Sequence, residues 1–296
     1  MATTRVIQRR IRSVRNISQV TRAMQMVAAS KMRRAQQTTL ASRAYADKAY
    51  QILTYLAAQP GRNKMLHPLL DERTPIQQRL LIVITSDRGL CGAYNMNILR
   101  AAFDYLASAG QAVKVITIGK RGRDAMARTR KNLIAEFTGL SEKPTALQIT
   151  PIAKIAIEEF TTGQVDRVDI AYTRFINVLT QRPHTQQLLP LPQPPAPPTG
   201  AHAVYIYEPS AEAILDPLLS RLIELQIYQA LLESVASEHS ARMVAMQNAT
   251  NNALTLIDNL TLEMNKARQA NITKEMLDIV GGANALREAL AKTMRV

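Results

Sequence analysis

A chain of 296 residues with 47% apolar and 20% charged side chains has the make-up of a folded protein, which excludes a disordered tail or linker. No run approaches the roughly 18 to 20 consecutive apolar residues of a membrane span, and no apolar signal core follows the Arg-rich start, so a soluble intracellular protein is expected. The net charge of +14 is unevenly placed: residues 1–48 hold eleven Lys or Arg against the single acid Asp47, while residues 210–296 hold eight basic and ten acidic side chains.

From Thr3 to Gln59 there is neither proline nor glycine, and Ile7, Val14, Ile17, Thr21, Met24, Ala28 and Ala35 recur at helical spacings until Pro60 and Gly61 stop the pattern. This predicts one long helix with a narrow apolar seam. Its Arg-rich face is either a solvated surface neutralised by its mate or a docking surface for an acidic partner, protein or nucleic acid. An acid-poor amphipathic start resembles a mitochondrial presequence, but the pattern runs on in register and is read as mature structure.

The middle of the chain changes period. Residues 80–85 form a short apolar run expected as a buried parallel strand. A helix fits Tyr94 to Ser108, a second strand Val113 to Ile118, a further helix Ala146 to Phe160 and a third strand Arg167 to Phe175. A last hairpin is expected to join Gln186–Leu191 with Ala203–Tyr207 across a stiff loop, Pro190 to Gly200, that holds six of the fourteen prolines.

The C-terminal stripe has a mean period near 3.5: Leu218, Leu222, Leu225, Gln229, Leu232, Ala236, His239, Met243, Met246, Thr250, Ala253, Ile257, Leu260, Met264 and Ala267. A helix from Pro217 to Val280 is about 95 Å long at 1.5 Å per residue and must lean on something. The simplest arrangement is an antiparallel coiled coil of the terminal helices, residues 1–59 and 210–296, with an α/β domain of Rossmann-like type inserted over residues 76–207. The longer C-terminal arm then overhangs its mate and needs a partner.

Chemistry-bearing patterns are sparse. The turn Ser86-Asp87-Arg88-Gly89-Leu90-Cys91-Gly92 is the one candidate phosphate cradle, but the chain has neither GxGxxG nor GxxxxGK[ST]; its two glycines are equally explained by a tight strand-to-helix turn in which Asp87 and Arg88 bond the local backbone. His67, His184, His202 and His239 match no metal-ligand spacing. Cys91 stands alone, which fits a reducing compartment and a buried, inert thiol. No cofactor is expected.

Four segments carry a resemblance over essentially the whole chain: VTRAMQMVAASKMR (20–33), TSDRGLCGAYN (85–95), ARMVAMQNATNNA (241–253) and NKARQANIT (265–273). In order and length they closely resemble the gamma subunit of F-type ATP synthases. The resemblance implies a non-catalytic rotating shaft inside a ring of alpha and beta subunits, with an epsilon subunit and a membrane c-ring as further partners. It also implies membrane association only through that complex. Met24 with Arg22, Lys31, Arg33 and Arg34 would meet the acidic lever of a beta subunit, Arg268, Gln269 and Thr273 would lie at a catch contact near the shaft's top, and residues 279–296 would turn in an apolar bearing. His239 stands where the family often has a polar amide, and the proline-rich loop replaces a commonly more acidic segment. With Cys91 alone the chain lacks the chloroplast redox insert, so a bacterial form at the inner face of the plasma membrane is expected. The competing class, a basic coiled-coil protein binding nucleic acid, lacks a docking motif or stacking aromatics among its arginines.

Overall fold

The structure, a computed structural model, describes residues 4–57, 67–110, 112–140, 144–191 and 211–293. Its two longest elements are α1 (Thr4–Ala57) and α5 (Ala211–Thr293). The chain divides into two compact units: one is the chain up to Gln25 together with the chain from Met246, the other is Met26–Ala245.

In the first unit, α1 and α5 run antiparallel. Ile7, Ile11 and Leu260 form a buried cluster, flanked by partly buried Val14, Ile257, Met264 and Ala267. Toward the other end of the unit the contact becomes polar: the Thr21 and Thr250 hydroxyls lie 2.7 Å apart, and Gln25 donates to Gln247. The seam expected on α1 needs one correction. Ile17 is 52% exposed, whereas Ser18 is buried, as is Ile11. The inward positions Ile7, Ile11, Val14, Ser18 and Thr21 alternate steps of four and three, the coiled-coil period, and hydrophobicity misled at position 17 because a small polar side chain fits this seam where a larger apolar one is left outside. On α5 the inward residues Met246, Thr250, Ala253, Ile257, Leu260, Met264 and Ala267 are those of the expected stripe.

The second unit is built on a five-stranded sheet in the order β3-β2-β1-β4-β5. The strands are β1 (Gln78–Ile84), β2 (Ala112–Ile118), β3 (Asn132–Phe137), β4 (Arg167–Phe175) and β5 (Gln181–Leu189). All pair in parallel except β5, which returns antiparallel along β4. The central strand is apolar on both sides because both are covered. Leu81 and Val83 pack with Ile98 and Ala102 of α2 (Tyr94–Ser108) and with Met126 of α3 (Lys120–Arg128). Leu80, Ile82 and Ile84 face Ile152 and Phe160 of α4 (Thr150–Thr161) and a long stretch of α5. Each fully buried Leu or Ile of this kind contributes about 1.5–3 kcal/mol. The sheet side under α2 also holds a buried acid: Asp169 accepts from Arg167 at 2.9 Å and from the Tyr105 hydroxyl, and burial with that bond pushes the Tyr105 phenol up to about 12.

Several expectations change. Helix α3 and strand β3 fall in a stretch left without elements. The residues expected as a helix from Ala146 begin with a 3-10 turn, Ala146–Gln148, and α4 starts at Thr150. The expected hairpin partner of Gln186–Leu191 is instead the preceding strand: β5 starts at Gln181 and pairs with β4, while Ala203–Tyr207 lies outside the described residues. β5 is polar and carries Pro183, both tolerable on an edge strand. Helix α5 starts at Ala211 rather than Pro217, which sits inside it. Finally, α5 between Leu219 and Ser240 is buried far beyond one stripe: Leu219, Ile223, Ile227 and Leu231 sit under the sheet beside the expected Leu222, Leu225, Leu232 and Ala236.

Candidate functional site

In an open parallel sheet, ligands bind outside the carboxyl ends of the strands where the strand order reverses. Here that point lies beyond β1 and β4, and α5 fills it. Ser234 Oγ accepts from the Thr173 amide at 3.2 Å, and Ser237 Oγ donates to the Thr173 carbonyl at 3.1 Å, so both main-chain groups of one β4 residue end on α5. One turn on, Arg242 donates to the Gly89 carbonyl at 3.2 Å and to Glu238 Oε1 at 2.7 Å, with His239 Nδ1 3.1 Å from its other nitrogen. Glu238, His239 and Arg242 are each at most 9% exposed. A guanidinium is the natural centre for this cluster, because its planar fork holds several acceptors at once.

Burial shapes the protonation of the cluster. It pushes the Glu238 carboxyl up against the opposing pull of Arg242, and it holds the His239 imidazole down at about 4, with Arg242 and Lys31 adding to the effect. The Tyr94 phenol, buried and facing Glu238, is raised as well. Cys91 is 2% exposed, receives a hydrogen bond from Asn95 Nδ2 at 3.1 Å, and is raised chiefly by desolvation, which favours the inert thiol.

The Ser86–Gly92 turn takes the tight-turn geometry. Ser86 Oγ donates to the Arg88 carbonyl at 2.6 Å, and Asn95 Oδ1 accepts from the Ser86 amide at 3.1 Å. The N-terminus of α3, beside this turn, is closed by protein acceptors. Asp87 Oδ1 accepts from Lys120 N, the Ser86 carbonyl from Arg121 N and Thr85 Oγ1 from Gly122 N, at 3.1, 3.2 and 2.8 Å. Gly119, at φ +100, makes this packing possible, since a Cβ there would stand 2.3 Å from the Thr85 carbonyl oxygen. Among the described residues no group of three or more potential ligands gathers for a metal, and no helix is long and apolar enough to cross a membrane.

Of the residues singled out in the sequence, Arg22, Arg33 and Arg34 are exposed on α1 and Met24 is half-buried. Lys31 is also half-buried, and its charge reaches inward to Glu238 and His239. Arg268, Gln269 and Thr273 lie on α5 just past Ala267, the last partly buried position; from Arg268 to Ala285 every residue is exposed, including Ile272, Met276, Leu277, Ile279 and Val280. The buried Glu238–Arg242 pair went unnoticed in the sequence, although an acid and a base four apart within an apolar stretch are the signal that finds it.

Comparison with known proteins gives these residues a setting. A family model described as ATP synthase matches residues 3–286. The chain is 48% identical over 286 residues to the ATP synthase gamma chain of Dehalococcoides mccartyi, covering 97% of this chain and 100% of that one. It is 49% identical over 291 residues to the ATP synthase gamma chain of Roseiflexus castenholzii, with the same coverage. Among solved structures it is similar to a chain of the Tetrahymena thermophila mitochondrial ATP synthase central stalk and c-ring, with 26% identity and a TM-score of 0.59 over 78% of this chain and 99% of that one. It also shares its fold with a chain of the Euglena gracilis mitochondrial ATP synthase, with 21% identity and a TM-score of 0.66 over 96% and 94% of the two chains.

Proposed function

This chain belongs to the ATP synthase gamma-chain family, and from that premise we propose that it is the rotating central stalk that couples proton flow to ATP synthesis. It catalyses nothing itself. Catalysis belongs to a ring of alpha and beta subunits around α1 and α5, while an epsilon subunit and a membrane c-ring are the further partners. The complex holds it, as a peripheral protein, at the cytoplasmic face of a bacterial plasma membrane. Residues 1–59 and 210–296 serve as the shaft and 76–207 as the inserted domain.

The observation that carries this reading is the bare stretch of α5 from Arg268 to Ala285. A lone helix exposing Ile272, Met276, Leu277, Ile279 and Val280 is marginal in water and gains its order from a sleeve. On this reading the apolar tip is a bearing, since apolar contacts are non-directional and present low barriers to turning. Torque passes through charged and polar contacts at Arg22, Met24, Lys31, Arg33 and Arg34 and at Arg268, Gln269 and Thr273. The crevice over β1 and β4 filled by α5 and the internally bonded Ser86–Gly92 turn favour a domain that binds no nucleotide. Purification tests the whole: the chain should co-purify with much larger ATP-hydrolysing partners and hydrolyse no ATP once separated from them. Steady turnover by the isolated chain contradicts it.

A further inference from the structure

The hairpin joining β4 to β5 is built against the preferences of its own turn. The Asn177 and Thr180 main chains bond to one another at 3.1 and 3.3 Å and leave Val178 and Leu179 between them. A loop closed in this way ordinarily carries Asn-Gly or a similar pair with positive φ, because that twist matches the flanking strands. Here both places hold apolar side chains, and neither residue has a positive φ. The conformation is imposed by side chains instead. Asn177 Oδ1 accepts from the Leu179 and Thr180 amides at 2.9 and 2.8 Å, and Gln181 Nε2 donates to the Val178 carbonyl at 2.8 Å. Buried Ser240 of α5 donates to that same carbonyl at 2.7 Å. So braced, the tip holds Leu179 in water at 81% exposure and Ile176 at 50%.

The charges beside the tip are also arranged against stability. Arg174 and Arg182 are direct partners in the β4–β5 register, and both are exposed. Like charges directly opposite one another destabilise a strand pair, and neither guanidinium has an ion pair among the described residues. Between Asp169 and Glu208 the sequence holds no acid at all. At about 3.3 Å per residue along a strand, both arginines lie within about 10 Å of the loop. A braced apolar knob flanked by two unpaired guanidiniums has the make-up of a binding hot spot.

We propose that the β4–β5 hairpin tip, from Arg174 to Arg182, is a docking surface for an acidic protein segment: Leu179 enters an apolar pocket, and the two guanidiniums take carboxylates beside it. Carboxylates are the complement because a guanidinium holds one by two parallel bonds, and because their binding relieves the opposition of Arg174 and Arg182. A rigid knob calls for a pocket of fixed shape, which a protein offers and a fluid headgroup layer does not. The contact is additional to the coupling positions proposed above, none of which lies on this hairpin.

Photo-crosslinking of the full chain, in the cells that make it, is the test. Benzoylphenylalanine in place of Ile176 puts the reactive group beside the knob and leaves Leu179, Arg174 and Arg182 free to vary. Irradiation should join the tip to one protein segment rich in Asp or Glu. Leu179→Ser, and Arg174→Glu combined with Arg182→Glu, should each lower the yield on the order of tenfold. Lys in place of the acids of the captured segment should restore the yield of the double-Glu variant. Arg182→Gln alone should lower the yield roughly fivefold while holding or raising the melting temperature, because it ends a like-charge opposition; this separates a lost contact from a lost fold. No crosslink, a crosslink only to lipid or nucleic acid, or a captured segment without acids overturns the proposal. So does a yield that Leu179→Ser and the arginine variants leave unchanged.

Discussion

Acidification should loosen the buried cluster on α5 through one residue, His239. The ring is 6% exposed, and burial, helped by Arg242 and Lys31, holds its pKa down at about 4. In the unfolded chain it titrates near the ordinary value of about 6.5. Below that pH the unfolded chain takes a proton that the folded chain refuses, so His239's contribution is fully present above about pH 6.5 and is lost as the pH falls toward 4. The loss amounts to about 1.4 kcal/mol at about pH 5.5 and about 3 kcal/mol in all. Glu238 works the other way, since its raised folded pKa favours protonation in the folded state, and it partly masks the effect in the parent. The difference between the parent and His239→Gln isolates the imidazole, because an amide oxygen can still accept from Arg242. Chemical denaturation of both at neutral pH and about one unit below the free-histidine pKa should show the parent losing about 1.4 kcal/mol more than the variant. A stability difference that stays constant with pH refutes the reasoning.

Arg242→Leu leaves Glu238 buried without its partner and the Gly89 carbonyl without a donor, and should destabilise the second unit by about 3–5 kcal/mol, read from denaturation midpoints; Glu238→Leu combined with Arg242→Leu should recover most of that loss. Met24→Lys places an ammonium at a half-buried position of α1 two residues from Arg22, where it can grip an acidic lever and add a barrier to rotation. ATP hydrolysis by the assembled enzyme should persist while protons pumped per ATP fall, and an unchanged ratio would count against that position as a drive contact. Truncation after Gly281 removes the apolar end of the bare helix and should lower assembly yield more than torque; normal assembly with most of the torque gone would make the tip a drive surface.

How far these residues were legible from sequence depends on what each one faces. The helices α1 and α5 announce themselves through long stretches with few or no breakers and an apolar period near 3.5, and β1, α2, β2 and β4 through runs or stripes that a covered sheet requires. Helix α3 did not, because Gly122, Ala125 and Met126 are its whole buried face and all the rest but Ala127 is charged. Edge strands β3 and β5 need little apolar surface, so their patterns are faint. Ser18 was passed over for Ile17 because periodicity weighs hydrophobicity while a tight seam selects for size. The buried side chains of α5 between Leu219 and Ser240 looked like a single stripe because only three dimensions reveal the sheet on the other side. The Glu238–Arg242 pair went unnoticed for the same reason. The coupling positions proposed at Arg22, Met24, Lys31, Arg33 and Arg34 and at Arg268, Gln269 and Thr273 came from resemblance, and spacing alone does not single them out.

The most direct measurement is rotation itself. With the ring partners immobilised and a probe attached through Ser108→Cys, an exposed position at the end of α2, the account predicts unidirectional stepping of the probe while ATP is hydrolysed, stopping when ATP is exhausted. A complex that hydrolyses ATP at its normal rate while the probe stays fixed relative to the ring would contradict it.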